Sequence, residues 1–378
     1  MAFDSDIQIG VLGGGQLGRM MIQSALDFNL DIHVLDPDAA APCRDAATSF
    51  TQGSLTDFDT VKKFGEDKDL ITIEIENVNT EALKALQALG KKVYPQPEVI
   101  ELIQNKYHQK LFYQKHNIPT ADFIEIKHAA ELKAHEHRLP FVQKLATGGY
   151  DGRGVQAMKK PKDFEKAFDA PSFIETFVPF EKELAVIAAR NTEGEVCTYP
   201  VVEMVFHPEK NLVEYLFSPA QIDAKTETKA QELAKKVISS LEMVGLLAVE
   251  MFLTSEGEIL VNEVAPRTHN SGHQSIEGNI TSQFEQHLRA ILNWPLGNTE
   301  TLIPAAMVNV LGEDGFTGAA KYAGMDEVLK RSGVHPHLYG KKITKPFRKM
   351  GHVTITGHDL AELKEKVNFV QKHLKVKA

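Results

Sequence analysis

The first hundred residues alternate short apolar runs with amphipathic stretches, and this pattern constrains the fold most. Residues 7–12, 31–35, 70–75 and 92–94 are apolar runs that predict strands. Leu17, Met20, Met21 and Leu26 repeat with a helical period after the first run, and a second helix is predicted over residues 80–89. Strands separated by helices of this size favour a parallel sheet. We therefore predict a doubly wound parallel-sheet domain over residues 1–104.

Strands dominate after a predicted helix over residues 100–115. We predict strands over residues 141–145, 172–178, 183–190 and 196–206, a helix over 225–243, and a hairpin over 246–264. A tail with strands over 305–311 and 349–354 and a last helix completes the chain. The sequence thus predicts an α+β domain over residues 105–295 and a small mixed α/β domain over residues 296–378.

Composition excludes several classes of function. The 378 residues carry a net charge of -9, which disfavours nucleic acid and anionic membranes as partners. Cys43 and Cys197 have neither zinc-site nor disulfide spacing, so we expect a reducing cytoplasmic location. The opening MAFDSDIQIG is unlike a signal peptide, and no apolar run has membrane-spanning length. Small-molecule partners are the remaining expectation.

Two strand-like runs flank a turn at residues 255–257 and form a predicted hairpin. A turn centred between residues 256 and 257 gives three cross-strand pairs: Ser255 with Glu258, Phe252 with Val261, and Glu250 with Glu263. Opposed side chains have Cβ atoms roughly 4.5–5.5 Å apart, and like charges there are destabilising.

The opposed glutamates need a shared proton, a basic side chain or a cation to offset their repulsion. Magnesium is suited to this place because it binds carboxylate oxygens together with phosphates. Asn262 is predicted on the opposite face. Two solvated glutamates at a strand end are the alternative, and a one-residue slip in register removes the pair.

A first glycine-rich segment, Gly13-Gly14-Gly15-Gln16-Leu17-Gly18, matches G-x-G-x-x-G between a strand and a helix. Asp36 ends the next strand, where an acid binds ribose in dinucleotide-binding domains. Taken alone, the pattern indicates a nicotinamide-dependent oxidoreductase. A tight turn without nucleotide is the other interpretation.

A second glycine-rich segment, residues 147–154, lies between two strand-like runs and is not a P-loop. Its glycine amides can wrap phosphate oxygens. Lys144 on the preceding strand and Arg153 within the loop favour a phosphate-binding flap over a plain mobile hairpin loop.

These segments resemble the ATP-grasp superfamily. The motifs are Lys144 followed by GGYDGRG at residues 148–154, and VNEVAPRTHNSGHQSIEG at residues 261–278. Within the superfamily the chain resembles the 5-(carboxyamino)imidazole ribonucleotide synthases of bacterial purine biosynthesis, from GGGQLGRM at 13–20 to RKMGHV at 348–353. The resemblance implies an ATP-grasp fold, a homodimer, and carboxylation of 5-aminoimidazole ribonucleotide with ATP and bicarbonate, through carboxyphosphate.

The resemblance also implies roles for individual residues. ATP is expected at Lys106, Lys144, Gly149, Tyr150, Asp151, Gly152, Arg153, Gly154, Val155, Glu175, Thr176, Phe177, Val178, Glu183, His207, Asn262 and Glu263. Magnesium is expected at Glu250 and Glu263. The ribonucleotide is expected at Gln16, Leu17, Arg267, Lys341 and Arg348, with Arg267, His269 and Asp151 as catalytic residues. Thr268 departs from the proline of many related sequences, a small change.

Three rival functions stay open at this stage. A formate-dependent glycinamide ribonucleotide ligase resembles this chain but typically has Glu at the position of Gln16 and a serine-rich flap. A nicotinamide-linked oxidoreductase leaves the opposed glutamates unexplained. The same carboxylate pair argues against a non-catalytic nucleotide-binding regulator.

Overall fold

The computed structural model describes residues 6–149, 154–206 and 213–378. The N-terminal region alternates strands and helices as predicted. Its elements are β1 (Gln8–Leu12), α1 (Gln16–Asp27), β2 (Asp31–Asp36), β3 (Ser49–Gln52), α2 (Phe58–Gly65), β4 (Leu70–Ile73), α3 (Thr80–Ala88), β5 (Lys92–Val93) and α4 (Pro97–Gln104).

Five of the described strands form a parallel sheet in the order β3-β2-β1-β4-β5. One face of the sheet packs against α1, and the other packs against α2, α3 and α4, so the domain is doubly wound as predicted. The strand order reverses between β1 and β4. Ligands bind at such a switch point, outside the carboxyl ends of the strands. Gly13 and Glu74 follow these two strands directly.

The predicted helix over residues 100–115 is two helices, because Asn105 interrupts it. Asn105 has extended backbone angles, and its side chain accepts hydrogen bonds from the amides of Tyr107 and His108. It therefore caps a new helix, α5 (Lys106–Lys115). Lys106 occupies the first turn of this helix, and its amide donates to the carbonyl of Ala146.

The central region contains two antiparallel sheets. Its remaining elements are β6 (Phe123–Ile126), β7 (Phe141–Leu145), β8 (Val155–Met158), β9 (Ser172–Thr176), β10 (Phe180–Arg190), β11 (Val196–Thr198), β12 (Val202–Phe206), β13 (Val213–Ser218), α6 (Ala224–Ser240), β14 (Gly245–Thr254), β15 (Ile259–Ala265), α7 (Ser275–Gly278) and α8 (Gln283–Ile291). The predicted strand over residues 196–206 is two strands, and Pro200, which lacks an amide donor, lies between them. Strands β6, β9, β7 and β8 form the smaller sheet.

The C-terminal region continues the larger sheet. Its elements are β16 (Ala305–Leu311), β17 (Gly318–Ala319), β18 (Lys321–Ala323), α9 (Met325–Leu329), β19 (Val334–Leu338), β20 (Ile343–Thr344), β21 (Lys349–Thr356), α10 (Leu360–His373) and β22 (Lys375–Lys377). The path β15-β14-β10-β12-β13-β16-β21-β19 joins the two regions through the pair β13–β16. The division at residues 295 and 296 stays a prediction. Among the described residues, every helix is too short or too polar to span a bilayer.

A buried contact joins the N-terminal domain to α8. Phe284 and Leu288 of α8 share one apolar cluster with Met20 and Met21 of α1. Beside that cluster, His287 Nε2 lies 2.9 Å from the Thr72 hydroxyl of β4. Burial lowers the pKa of His287 to about 4, so the imidazole is neutral in the folded chain at neutral pH.

This buried histidine predicts an acid-dependent loss of stability. Between pH 6.5 and 4 the unfolded chain binds a proton at His287 that the folded chain does not, so stability falls as pH falls. We expect wild type to lose about 2 to 3 kcal/mol more than His287→Gln over this range in urea unfolding. His335→Gln, at an exposed position, is the control. Parallel pH profiles for wild type and His287→Gln would contradict the assignment.

Candidate active site

The hairpin of β14 and β15 places Glu250 directly opposite Glu263, which confirms that pairing. The pairing of residues nearer the turn differs from the prediction. Phe252 pairs with Leu260, and the amide of Thr254 donates to the carbonyl of Glu258. The predicted pairs Phe252–Val261 and Ser255–Glu258 are therefore wrong. The loop has three residues and ends at Gly257, whose φ of 76° suits glycine, so the register starts one residue away from the predicted one.

A β-bulge at Asn262 restores the register. Glu263 pairs with Glu250 and Val261 pairs with Met251, so Asn262 is the extra residue on β15. Its side-chain oxygen accepts a hydrogen bond from Lys144 Nζ at 2.8 Å. Lys144 also acts electrostatically on Glu263, so Asn262 and Glu263 face one cleft. The prediction that Asn262 lies on the opposite face is wrong, because a bulge redirects a side chain.

Three carboxylates converge on this cleft. Burial and the negative charges of Glu263 and Glu183 raise the pKa of Glu250. Burial and the charge of Glu263 also raise the pKa of Glu183 to about 7, although Lys144 opposes this shift. Burial disfavours the charged form of Glu263 as well, but Lys106 and Lys144 outweigh it and lower its pKa. The site therefore contains partly buried negative charge that further positive charge would stabilise.

Lysines from two other elements supply part of that positive charge. Lys106 Nζ, at the start of α5, forms an ion pair with Glu263. Lys144 Nζ, on β7, lies 2.6 Å from a carboxylate oxygen of Glu175 on β9. Both lysines, at which ATP is expected, therefore contact the β15 side of the same cleft.

Glu175, at which ATP is expected, has a side chain that is already paired within the protein. Its carboxylate is buried and pairs with both Lys110 and Lys144. Burial lowers the pKa of Lys110 to about 8, and the charge of Glu175 opposes the shift. Lys110 was not among the predicted residues, because a helical lysine has no pattern that reports burial. Thr176 ends β9, and Phe177 and Val178 connect it to β10.

The second glycine-rich segment is described only at its two ends. Val155 pairs with Lys144 across β7 and β8, and the amide of Leu145 donates to the carbonyl of Gly154 at 2.9 Å. Gly149 is the last described residue before the loop. The predicted residues Tyr150, Asp151, Gly152, Arg153 and His207 lie outside the described residues.

Arg267 and His269 follow β15, and His269 borders the carboxylate pair. His269 Nε2 lies 3.5 Å from Glu250 Oε1. The amide of Ser271 donates to His269 Nδ1, so the proton of the neutral ring is on Nε2, facing Glu250. Gln283 holds the backbone of His269 through both its amide and its carbonyl. The structure therefore joins the predicted catalytic segment to the predicted metal pair.

The first glycine-rich turn is occupied by the protein's own carboxylates. Asp36 accepts a hydrogen bond from the amide of Gly14 at 2.7 Å, and Glu74 accepts one from the amide of Leu17 at 3.1 Å. A Cβ at Gly15 would collide with the Glu74 carboxylate. The amides of Gly14 and Leu17 already donate to carboxylates of the protein and are therefore not available to bind a pyrophosphate. This argues against the dinucleotide interpretation. Glu74 was not predicted; its place after β4, at the switch point, is the signal that points to it.

The predicted phosphate ligands of the C-terminal region lie on the segment between β19 and β21. Lys341 Nζ donates to the carbonyl of Lys349 at 2.8 Å, and Arg348 Nη1 donates to the carbonyl of Ile343 at 2.6 Å. Gly340, next to Lys341, packs against Arg19 of α1. The segment therefore reaches the helix that begins with the predicted residues Gln16 and Leu17.

Three family models match successive segments of the chain. An ATP-grasp domain model matches residues 111–284, a ribonucleotide synthetase preATP-grasp domain model matches residues 7–104, and a phosphoribosylaminoimidazole carboxylase C-terminal domain model matches residues 305–366. With the fold described above, these matches define an ATP-grasp ligase.

Whole-chain relatives give the narrower assignment. The N5-carboxyaminoimidazole ribonucleotide synthetase structure from Thermotoga maritima has a TM-score of 0.92 and 43% identity, covering 98% of this chain and 99% of that one. The Bacillus subtilis N5-carboxyaminoimidazole ribonucleotide synthase is 39% identical over 92% of this chain and 90% of its own. The chain belongs to the N5-carboxyaminoimidazole ribonucleotide synthase family.

Two further comparisons bear on ligands and length. An Aspergillus clavatus N5-carboxyaminoimidazole synthase in complex with ADP and 5-aminoimidazole ribonucleotide has a TM-score of 0.88 and 34% identity, covering 97% and 98% of the two chains. The chain spans about two thirds of the fungal and plant relatives named phosphoribosylaminoimidazole carboxylase, 65% to 69% of their length.

Proposed function

We propose that the chain carboxylates 5-aminoimidazole ribonucleotide with bicarbonate, consuming ATP and forming carboxyphosphate as the intermediate. The observation that carries this proposal is the partly buried pair Glu250–Glu263, in which His269 contacts Glu250 and Lys106 contacts Glu263. This arrangement brings a phosphoryl-transfer site and a carboxyl-transfer segment to one cleft. The ligands of the related Aspergillus clavatus structure support the same substrates.

The residues around the pair fit a magnesium ion. Two carboxylates face each other, and burial together with the negative charges of Glu263 and Glu183 raises the pKa of Glu250. Carboxylate oxygens are the protein ligands that magnesium prefers, so Glu250 and Glu263 would hold it. When bound, magnesium neutralises charge on the transferring phosphoryl group.

Other residues of the cleft orient ATP. Lys106 contacts Glu263 and Lys144 contacts the neighbouring Asn262, so both place positive charge where phosphates would bind. Glu183, whose raised pKa favours a protonated or hydrogen-bonded state, is suited to the ribose hydroxyls. Residues 175–178 would contact adenine through their backbone groups, because the Glu175 side chain is already paired with two lysines.

The chemistry proceeds in two transfers. A bicarbonate oxygen attacks the γ-phosphorus, and the bond to ADP breaks. The exocyclic amine nitrogen then bonds to the carboxyl carbon. Phosphate leaves with the electron pair of the C–O bond and accepts the proton that the amine loses. Arg267 would bind the anionic intermediate through paired hydrogen bonds. His269 would donate a hydrogen bond from Nε2 to an anionic oxygen, because its Nδ1 accepts from Ser271.

The ribonucleotide would bind between α1 and the C-terminal segment. Lys341 and Arg348 would hold its phosphate, and Gln16 and Leu17 would lie beside it. Support comes from the packing of Gly340 against Arg19, which brings these two parts of the chain together. Gln16, where the rival glycinamide ligases typically carry Glu, favours the carboxylating reaction.

The homodimer and the cytoplasmic location stay predictions. Cys43 and Cys197 are free thiols in the structure, and burial is the main cause that raises the pKa of each. Such thiols are typical of a reducing compartment, which supports the location.

One assay tests the proposed reaction and separates the rivals. ADP release should require 5-aminoimidazole ribonucleotide and bicarbonate, and neither formate with glycinamide ribonucleotide nor NADH should be consumed.

The variant Glu263→Gln tests the metal assignment. It should lower turnover about 100-fold or more while leaving the fold intact by circular dichroism. Glu258→Gln, an exposed glutamate of the same hairpin, is the matched control. Near-normal ADP release by Glu263→Gln would rule out the metal assignment.

Lys341→Ala tests the substrate-phosphate site. Losing a charge-assisted hydrogen bond should raise the KM for the ribonucleotide about 10- to 100-fold, with the KM for ATP nearly unchanged. Lys342→Ala, at the exposed neighbouring position, should change neither KM. Equal effects of Lys341→Ala on both substrates would count against a role at the ribonucleotide.

A further inference from the structure

An ion pair crosses from the N-terminal domain to the predicted catalytic segment. Arg267 Nη2 lies 2.9 Å from Glu76 Oε1, and both side chains are mostly buried, with 18% and 24% of their surfaces exposed. Arg267 Nη1 donates to the carbonyl of its neighbour Thr268. The guanidinium group is thus held from its own segment and from another domain.

The backbone around Glu76 is fixed. Gln104, the last residue of α4, donates its side-chain amide to the carbonyls of both Glu76 and Val78, at 2.8 and 2.9 Å. Two residues earlier, Glu74 is bound to the amide of Leu17 at the start of α1. Glu76 therefore extends from an anchored turn at the switch point of the parallel sheet.

A second carboxylate acts on the same guanidinium group. Burial raises the pKa of Glu74 to about 7, and the charge of Arg267 opposes that shift. Arg267 consequently lies within electrostatic reach of Glu74 and in direct contact with Glu76. The N-terminal domain presents both acids on the short segment that follows β4.

We propose that Glu76 is a positioning residue, which fixes Arg267 in the orientation that binds the anionic intermediate. This inference rests on the proposed function of Arg267. An arginine side chain has several rotatable bonds, so an unpaired guanidinium group samples many orientations. The fixed carboxylate of Glu76 selects one of them before substrates bind. The N-terminal domain thereby contributes to catalysis through Glu76, although Glu76 itself does not contact the transferred group.

The proposal predicts a coupling defect, which a purely structural ion pair would not give. If Arg267 is poorly oriented, carboxyphosphate forms but is hydrolysed before it reaches the amine. ADP release then exceeds nucleotide carboxylation. Glu76→Gln keeps the size of the side chain and an oxygen that can accept from Arg267, so we expect this variant to fold, which circular dichroism checks.

The test compares Glu76→Gln and Glu76→Ala with wild type, measuring ADP and carboxylated nucleotide in the same reaction. We expect carboxylation to fall about 10- to 100-fold, the KM for ATP to stay within about twofold, and the ratio of ADP to product to rise. Glu76→Asp should recover part of the coupling. Glu101→Gln, which removes an exposed carboxylate paired with Lys84 in the same domain, is the control and should behave as wild type.

A double variant makes the test decisive. In an Arg267→Ala background, Glu76→Gln should cause no further loss, because Glu76 acts through Arg267. Additive losses, or a normal ratio of ADP to product in Glu76→Gln, would overturn the proposal. If the wild-type chain shows no bicarbonate-dependent ADP release, the proposed function itself is wrong. Failure of the proposed function is therefore distinguishable from failure of the Glu76 proposal.

Discussion

The repulsion between Glu250 and Glu263 is the constraint on which the rest of the site depends. The hairpin holds the two carboxylates opposite each other in a mostly buried place, where like charges are destabilising. Lys106 pairs with Glu263, and Lys144 adds positive charge from the neighbouring sheet. In the proposed function, a magnesium ion bound with the nucleotide would supply further compensating charge.

The three parts of the chain contribute differently to the cleft. The central region supplies the carboxylates and the lysines. The N-terminal domain has the topology of a dinucleotide-binding fold, but Asp36 and Glu74 occupy the amides of its glycine-rich turn. Its acids thus act within the protein: Glu74 binds the start of α1, and Glu76 reaches Arg267. The C-terminal region brings Lys341 beside α1.

The sequence predicts local patterns well and long-range geometry poorly. The parallel strands and the Glu250–Glu263 pair are confirmed, since both follow from short-range periodicity. The predicted register is one residue off at the turn, and the unpredicted bulge at Asn262 cancels that error before Glu263. Neither the three-residue loop nor the bulge has a clear sequence signal. The ion pairs of Lys110 and Glu76 join residues 65 and 191 positions apart, and no local pattern identifies such partners.

A crystal structure with ADP and manganese, which replaces magnesium at oxygen sites, tests the central claim most directly. The account predicts an anomalous peak bonded to carboxylate oxygens of both Glu250 and Glu263 and to the nucleotide phosphates. Manganese bound elsewhere, with Lys106 still paired to Glu263 and Glu250 making no metal contact, would contradict it.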